Sequence, residues 1–341
     1  MFFSDDKTHH VTGAKRMANA TGRFHTHTIA LTFCLFALIT PPALSTPTTP
    51  AHTTSQTLAL IQVMGTHLEA IRIYMGKAQM EIARLDVENA AAHETYYQAV
   101  NLYRKADRLA LEIIRSTREL EYRDRSEDIG MDAVYAVVEQ ALQRVDAVAA
   151  DLGIDLPPAP DEAPTASVSD VYEALLNTGQ RINQLLERQF SPSDVYQQVT
   201  KALNITLALF DRFPGERRVT QEPEWTPGKK PGDVYQVLLD CHAVVRDIAQ
   251  RSGIDVLALS ATPKSSPYRP GEVYDIATLL VSELNYIYAA VPGLSQPAAS
   301  YFPGRKFPSD VHQRARRLHQ TLIRLDELIA RRPGWRQTER G

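Results

Sequence analysis

Apolar residues recur along most of this 341-residue chain at alternating intervals of four and three positions. In the last such stretch they are Val311, Ala315, Leu318, Leu322, Leu325 and Ile329. A spacing that averages about 3.5 residues places these side chains on one stripe of an α-helix, as in helical bundles and coiled coils. Eight stretches carry the pattern. We therefore predict an all-α helical bundle of about eight helices, each of roughly 20 to 30 residues. The period-two alternation of strands is absent, so we predict no sheet.

Seven of the eight stretches open with a sequence close to Pro-X-Asp-Val-Tyr. The clearest copies start at Pro192, Pro231, Pro270 and Pro308, and the weaker ones at Ser169, Asp132 and Glu94. Proline suits the first position of a helix, where its missing N–H would have no partner. An acid two residues later lies near the free N–H groups and the positive end of the helix dipole. We therefore interpret the motif as a helix cap followed by a core anchor.

Two of the predicted helices add detail to this interpretation. Ser191 and Asp194 stand three residues apart around one clear copy, a spacing that predicts a capping box. The first helix lacks the motif but has its own apolar stripe from Ile61 to Leu85, so we predict a helix across that whole range.

Residues 1–45 have the features of an export signal. The apolar run 29–39 follows basic residues and precedes Ala43-Leu44-Ser45, whose small residues suit cleavage after Ser45. The run is shorter than the roughly 20 residues that a membrane-spanning helix needs. We predict a cleaved signal and a periplasmic or secreted protein, with an uncleaved N-terminal membrane anchor as the alternative.

Composition divides the rest of the chain. The predicted parts are a flexible leader at 46–54, an N-terminal helical part at 55–155, a Pro-rich linker at 156–168, a C-terminal helical repeat part at 169–333 and a tail at 334–341. The Pro-rich linker is the predicted boundary, with three helices before it and five after it. The alternative is a four-plus-four division near Phe190, which gives two tandem four-helix bundles.

Three links between the later helices are each near 15 residues long, which is uncommon in compact domains. They span about 214–230, 253–269 and 292–307. About 15 extended residues reach up to about 50 Å, enough to return along one helix and start the next parallel to it. In that arrangement Tyr235, Tyr274 and His312 gather at one end of a bundle.

No catalytic or cofactor motif is present in the sequence. Glycine-rich phosphate loops, His-Glu-X-X-His and Gly-X-Ser-X-Gly are all missing, so we predict no enzymatic activity, no cofactor and no metal site. His312 and His319 are about 10 Å apart along one helix, too far to chelate one ion by themselves. His93 and His242 stand alone in the sequence. Cys241 falls on the apolar stripe of its helix and is predicted to be a buried thiol.

The chain has a net charge of −3, with one asymmetry. From Arg305 onward there are ten Lys and Arg against four Asp and Glu. One hypothesis from this surplus is that the basic last helix contacts a membrane surface or another anion. The simpler interpretation is a solvated face whose charge is balanced by acids elsewhere. Nucleic acid is excluded by the export signal and by the lack of a basic and aromatic platform.

Two functions fit these features. The first is an exported, non-catalytic helical repeat protein that serves as a binding or scaffold module for a protein or envelope partner. The alternative is a small-ligand-binding or sensory bundle whose pocket is lined by the motif tyrosines, which requires their rings to converge on one cavity. The candidate contact residues are Tyr172, Tyr196, Tyr235, Tyr274, His312, Trp225, Arg314 and Arg317. The sequence leaves the oligomeric state open.

Overall fold

The computed structural model describes residues 52–120, 129–158, 165–262 and 264–337, and within them contains eight α-helices and two short strands. The helices are α1 (Thr54–Tyr74), α2 (Ala92–Ile114), α3 (Met131–Asp151), α4 (Val168–Leu185), α5 (Pro192–Leu209), α6 (Pro231–Arg251), α7 (Pro270–Ala289) and α8 (Pro308–Arg331). The strands are β1 (Leu85–Glu88) and β2 (Ala258–Ala261), and a 3₁₀ turn, Phe210–Arg212, follows α5. The predicted all-α bundle of eight helices is confirmed. The export signal predicted at 1–45 lies outside the described residues, as do parts of the leader, the Pro-rich linker and the tail.

The acid of the motif caps its helix as the sequence predicts. Helices α5 to α8 each begin at the motif proline. The acid two residues later accepts the N–H of the residue before the proline, at 2.8 Å for Asp194, 2.7 Å for Asp233 and 2.8 Å for Asp310. Ser191 completes the predicted capping box by accepting the N–H of Asp194 at 3.3 Å. These bonds satisfy N–H groups that the start of a helix otherwise leaves free.

The first helix is shorter than predicted. It ends at Tyr74, although the apolar spacing continues to Leu85. Gly76 has a φ of 63°, a left-handed conformation that glycine adopts without strain, and the N–H of Lys77 donates to the C=O of Arg72 at 3.1 Å. This is the Schellman arrangement that closes many helices. The prediction of a helix through residue 85 is therefore wrong, because a glycine ends the helix while the apolar spacing persists.

The prediction that the fold contains no sheet is also wrong. Strand β1 pairs antiparallel with β2, with Leu85 opposite Ala261 and Glu88 opposite Ala258. Leu85 and Val87 are buried and the residues between and after them are exposed, so the strand has the expected alternation. Four residues are too short a run to distinguish from helix by periodicity. The sheet connects the segment after α1 to the link between α6 and α7.

The helices pack as two four-helix bundles. In the first bundle α1 and α2 each contact both α3 and α4, and in the second bundle α5 and α6 each contact both α7 and α8. Each bundle has its own apolar core, and α4 contributes Val171, Leu175 and Ile182 to the first. The division by packing thus falls between α4 and α5, as in the four-plus-four alternative. The Pro-rich segment 156–168 joins two helices of the first bundle, so the ranges 55–155 and 169–333 do not coincide with the packed groups.

All four helices of each bundle start at the same end. In the second bundle one small apolar cavity is lined by Pro192, Val195, Pro231, Val234, Pro270, Val273, Pro308 and Val311. In the first bundle, the N–H of His52, just before α1, donates to Asp132 at the start of α3, at 2.7 Å. The Thr54 hydroxyl at the start of α1 donates to the C=O of Ala166 before α4, at 2.6 Å. The N–H of Ala90 before α2 donates to the Ser169 hydroxyl in α4 at 3.1 Å. The long links therefore return along the bundles, as their lengths predict.

Helices α2 and α7 run antiparallel where the two bundles meet. Near the start of α2, the ring of His93 stacks on Tyr286 with 3.8 Å between ring centres. Further along α2, the Lys105 ammonium lies 2.5 Å from the Asp275 carboxylate, and both side chains are only 2% exposed. The contact between the bundles therefore contains charged groups that are shielded from water.

Candidate functional site

The four motif tyrosines lie in different surroundings. Tyr172 and Tyr235 are buried within the apolar core. Tyr274 stacks on Phe190 with 4.1 Å between ring centres, at the contact of the two bundles. Tyr196 is half-buried, and its hydroxyl accepts hydrogen bonds from an arginine of α8. Their rings occupy separate contacts between helices, which is the arrangement expected of packing anchors.

His312 and Trp225 lie at the start of α8. His312 is buried, and burial together with the nearby charges of Lys229 and Arg316 lowers the pKa of its imidazole. Trp225 is 48% exposed, and its indole N–H donates to Asp310 at 3.1 Å. Trp225 is therefore anchored at one edge and open to solvent elsewhere.

The basic last helix is extensively ion-paired within the protein. Arg314 and Arg317 both pair with Glu222, and Arg324 pairs with Glu216 at 2.9 Å. Both glutamates belong to the link between α5 and α6. Much of the positive surplus is thus balanced by neighbouring acids, in line with the simpler interpretation of this charge. Among the helices of the described residues, none has the length and apolar character needed to cross a membrane.

A cleft of about 580 Å³ opens beside the C-terminal parts of α1 and α4. The segment between α1 and β1 forms one wall, and residues that follow β2 form another. Its charged lining residues are Glu69, Arg72, Glu81, Arg84, Arg181 and Lys264, and its apolar ones are Leu68, Met80, Ile82 and Leu185. None of the eight residues predicted as ligand or partner contacts lines this cleft.

The two carboxylates of the cleft are both held in the ionised form. Arg72 donates to Glu69 at 2.7 Å, and this hydrogen bond lowers the pKa of Glu69. Glu81 accepts the Ser265 hydroxyl at 2.8 Å and the Ser266 N–H at 3.0 Å. Hydrogen bonds from these two serines lower the pKa of Glu81 to about 2. Both acids therefore carry negative charge at neutral pH.

The cations of the cleft differ in their partners. Lys264 is buried and pairs with Glu272 at 2.6 Å. Arg84 and Arg181 are exposed, and neither forms an ion pair with any residue that the structure describes. With four cations and two anions, the lining has a net positive charge. Arg181 donates one hydrogen bond to the C=O of Gly65 at 3.3 Å, and its charge contributes to lowering the pKa of Glu69. Each guanidinium group carries five N–H donors, so both retain donors for an anion in the cleft.

The apolar periodicity does not predict this cleft, because it places the wall at 79–84 in the first helix. Those residues are non-helical, so their backbone can turn away from α1 and leave space beside α4. Gly76 was the signal that could have located the wall, since glycine commonly ends a helix, although here the apolar stripe continues past it.

A second group of polar side chains lies between the bundles, and all but the half-buried His93 are buried. We call His93, Glu94, Glu283 and Tyr172 the buried cluster. One ligand atom from each of His93, Glu94 and Glu283 lies within 4.8 Å of the other two. Glu94 is 2% exposed, Glu283 is 1% exposed and Tyr172 is fully buried. The Tyr172 hydroxyl has no hydrogen-bond partner within the described ranges.

The two carboxyl groups of the buried cluster are bonded differently. Glu94 accepts the N–H of Ala91 at 2.6 Å and the N–H of Leu257 at 2.7 Å, one with each oxygen. Glu283 accepts no hydrogen bond from any N–H or hydroxyl donor in the part of the chain that the structure covers. Burial raises the pKa of both groups, and the charge of Glu94 raises the pKa of Glu283 further. A hydrogen bond between the two carboxyl groups also raises the pKa of Glu283 and opposes the rise of the pKa of Glu94. The cluster therefore concentrates acidic oxygens where water cannot solvate them.

Sequence reasoning treated His93 as isolated because its neighbours come from other helices. Glu94 follows it in α2, but Glu283 and Tyr172 belong to α7 and α4. The only local signal was an acid at Glu283, immediately before the core residue Leu284. Comparisons with protein-family models, with curated proteins and with solved structures give no match.

Proposed function

We propose that this protein is a non-catalytic binding protein that holds a small anionic molecule in the cleft beside α1 and α4. The observation that carries the proposal is the pair of exposed guanidinium groups of Arg84 and Arg181, neither of them ion-paired within the described residues. The volume of about 580 Å³ falls within the range of about 300 to 1,000 Å³ that small-molecule sites occupy.

The lining indicates the chemical class of the ligand. A guanidinium group presents a planar fork of donors that matches a carboxylate or phosphate with two parallel hydrogen bonds. Leu68, Met80 and Ile82 add apolar surface to the same cleft. A small acid with an apolar portion therefore fits the lining best.

We propose binding without catalysis because of the protonation state of the acids in the cleft. A general acid or base works best when its pKa lies near the operating pH. Hydrogen bonds lower the pKa of Glu69 and of Glu81 away from neutrality. The described lining also contains no histidine and no cysteine. The residues of the cleft are thus suited to binding and poorly suited to proton transfer.

The test is a thermal-shift and titration screen with small carboxylates and organic phosphates. Arg84→Gln and Arg181→Gln remove the two charges, and Arg217→Gln, at an exposed arginine remote from the lining, is the matched control. A charge-assisted hydrogen bond contributes about 1.5 to 3 kcal/mol, so each cleft variant should lose about tenfold or more in affinity. The control should bind like the wild type. Equal affinity in all four proteins, or no anion that stabilises the wild type, would contradict the proposal.

A partner-binding surface is a second candidate, and exposed aromatic rings favour it. Tyr301 is 82% exposed, Phe302 63%, Phe307 55% and Trp225 48%. All four belong to the links that lead into α6 and α8, at the end where the helices of the second bundle start. Exposed apolar patches mark interaction sites, and aromatic residues dominate the energetics of such sites.

This second candidate keeps the predicted protein or envelope partner and the predicted export. Its test is a pull-down from envelope extracts with the wild type and with Phe307→Ser, with the cleft variant Arg181→Gln as a control for specificity. Partners should be retained by the wild type and the cleft variant and lost with Phe307→Ser. Retention by all three proteins would remove this surface from consideration.

A further inference from the structure

We propose that His93, Glu94 and Glu283 bind one divalent transition-metal ion between the two bundles. His93 and Glu94 are adjacent in the first turn of α2, and Glu283 lies on α7, which runs antiparallel to it. One ligand atom from each side chain lies within 4.8 Å of the other two. Ligands at about 2.0 to 2.2 Å from one ion can be at most about 4.4 Å apart, so small side-chain rotations complete the site.

Buried polar atoms without partners surround this point. Within the described residues no N–H or hydroxyl group donates to Glu283, whose carboxyl shares a hydrogen bond only with that of Glu94. The Nε2 atom of His93 and the Tyr172 hydroxyl have no hydrogen-bond partner there. Tyr172 is fully buried, and burial together with the charges of Glu283 and Glu94 raises its pKa. Buried polar groups are almost always paired because leaving them unpaired is costly. A cation held here would give the carboxylates and the imidazole a common partner.

The hydrogen bonds of Glu94 are compatible with a role as a metal ligand. Its two oxygens accept the N–H groups of Ala91 and Leu257 at 2.6 and 2.7 Å. Each carboxylate oxygen has two lone pairs, so each retains one for a metal ion. The two N–H bonds also fix the orientation of the carboxylate, as hydrogen bonds to metal ligands commonly do.

The ligand atoms indicate which metal ions fit. One imidazole nitrogen with two carboxylates suits zinc, manganese or ferrous iron, whereas the absence of a thiolate among the three ligands disfavours cuprous copper and iron–sulfur clusters. Three protein ligands leave coordination positions open for water. His93 is half-buried and stacks on Tyr286, which is 37% exposed, so an ion can enter beside this ring pair.

The experiment measures zinc and manganese binding by isothermal titration of the full chain after dialysis against a chelator. Glu283→Gln keeps the shape of the side chain and removes the anionic ligand. Glu139→Gln, at an exposed glutamate of α3, is the matched control. We expect one saturable site per chain in the wild type and in the control. Removal of an outer-shell partner alone weakens metal sites by about 10- to 100-fold, so the loss of a ligand should weaken binding at least tenfold.

A second readout separates the proposed site from adventitious binding by surface histidines. Cobalt substituted into the wild type should give visible absorption bands that change in His93→Gln and remain in the control. Wild-type protein without saturable binding, or equal affinity in the wild type and Glu283→Gln, would overturn the proposal. Cobalt bands that are unchanged in His93→Gln would do the same.

Discussion

The ion pair of Lys105 and Asp275 allows a sharp test of how the two bundles are held together. The two groups are 2.5 Å apart and only 2% exposed, and the amide of Asn183 lies 3.5 Å from the second carboxylate oxygen. Removal of one member of a buried pair leaves an uncompensated charge and typically costs about 3 to 5 kcal/mol. We therefore expect Lys105→Met to lower the free energy of unfolding by about that amount at neutral pH.

The loss in Lys105→Met should depend on pH in a defined direction. Burial raises the pKa of Asp275, and Lys105 opposes that rise. Without Lys105 the pKa of Asp275 in the folded protein is higher still, above the unfolded value of about 3.9. The folded state then binds more protons than the unfolded state, so stability falls as the pH rises from the unfolded pKa through the folded one. The deficit should be small near about pH 4 and grow towards neutrality.

A double variant supplies the control for this prediction. Lys105→Met with Asp275→Leu removes both charges, and such replacements are often neutral or stabilising by about 1 to 4 kcal/mol. Urea denaturation followed by circular dichroism at several pH values measures all three proteins. The reasoning is refuted if Lys105→Met costs less than about 0.5 kcal/mol at neutral pH or if the double variant is as unstable as the single one.

Three further predictions concern the second bundle. Leu280→Ala and Leu322→Ala, both at 0% exposure, should each cost about 2 to 5 kcal/mol in chemical denaturation, and a loss below about 0.5 would show that the packed face is wrong. Asp233→Ala removes the acceptor of the 2.7 Å cap bond and should lower the free energy of unfolding by about 0.5 to 2 kcal/mol. Asp233→Asn keeps an acceptor and should lose only the charge–dipole energy of about 0.3 to 1 kcal/mol. If Asn is as costly as Ala, the cap interpretation fails. Tyr235→Phe removes a buried hydroxyl without a partner in the described residues and should be near neutral; a loss above about 1 kcal/mol would indicate a missed hydrogen bond.

The starts of the helices were predictable because the signal for them is local. The motif proline fixes its own φ, and the acid two residues later reaches the N–H groups of the same turn. The apolar stripes were predictable for the same reason, and Val273, Leu280 and Ile287 are buried as their spacing requires. The end of α1 depended on one glycine within a continuing stripe, so periodicity alone overran it.

The cleft and the buried cluster depend on contacts that no local pattern encodes. Arg84 and Arg181 line one cleft only because the segment after α1 passes the C-terminal part of α4. Glu283 meets Glu94 only because α7 packs antiparallel to α2. The cluster follows from how the two bundles pack against each other, and the cleft from how a non-helical segment packs beside α4. The sequence pattern determines the helices of each bundle but neither of these contacts.

The acid of the motif is aspartate where it only caps its own helix and glutamate where it also bonds to the other bundle. In α4, α5, α6 and α8 the acid is aspartate, and it is not fully buried. In α2 and α7, which meet across the bundles, it is glutamate: Glu94 is 2% exposed and Glu272 is 7% exposed. Each glutamate accepts the N–H that caps its own helix and a second N–H from the other bundle. Glu94 accepts the N–H of Leu257 at 2.7 Å, and Glu272 that of Ala83 at 3.0 Å. The longer side chain therefore caps a helix and joins the bundles at once.

Shortening one of these glutamates tests that conclusion. Glu272→Asp keeps the charge and can still cap α7, but its side chain is too short to reach Ala83 as well. A buried N–H left without an acceptor costs about 1 to 3 kcal/mol, and the shorter side chain also weakens the ion pair with buried Lys264. We therefore expect a loss of at least about 1 to 3 kcal/mol, and the cost of the lost Ala83 contact shows as faster hydrogen exchange of the Ala83 amide. Asp310→Glu, at the partly exposed cap of α8, is the reverse control and should change stability by less than about 0.5 kcal/mol. If Glu272→Asp leaves both the unfolding free energy and the exchange of Ala83 unchanged, then glutamate at this position does not hold the bundles together.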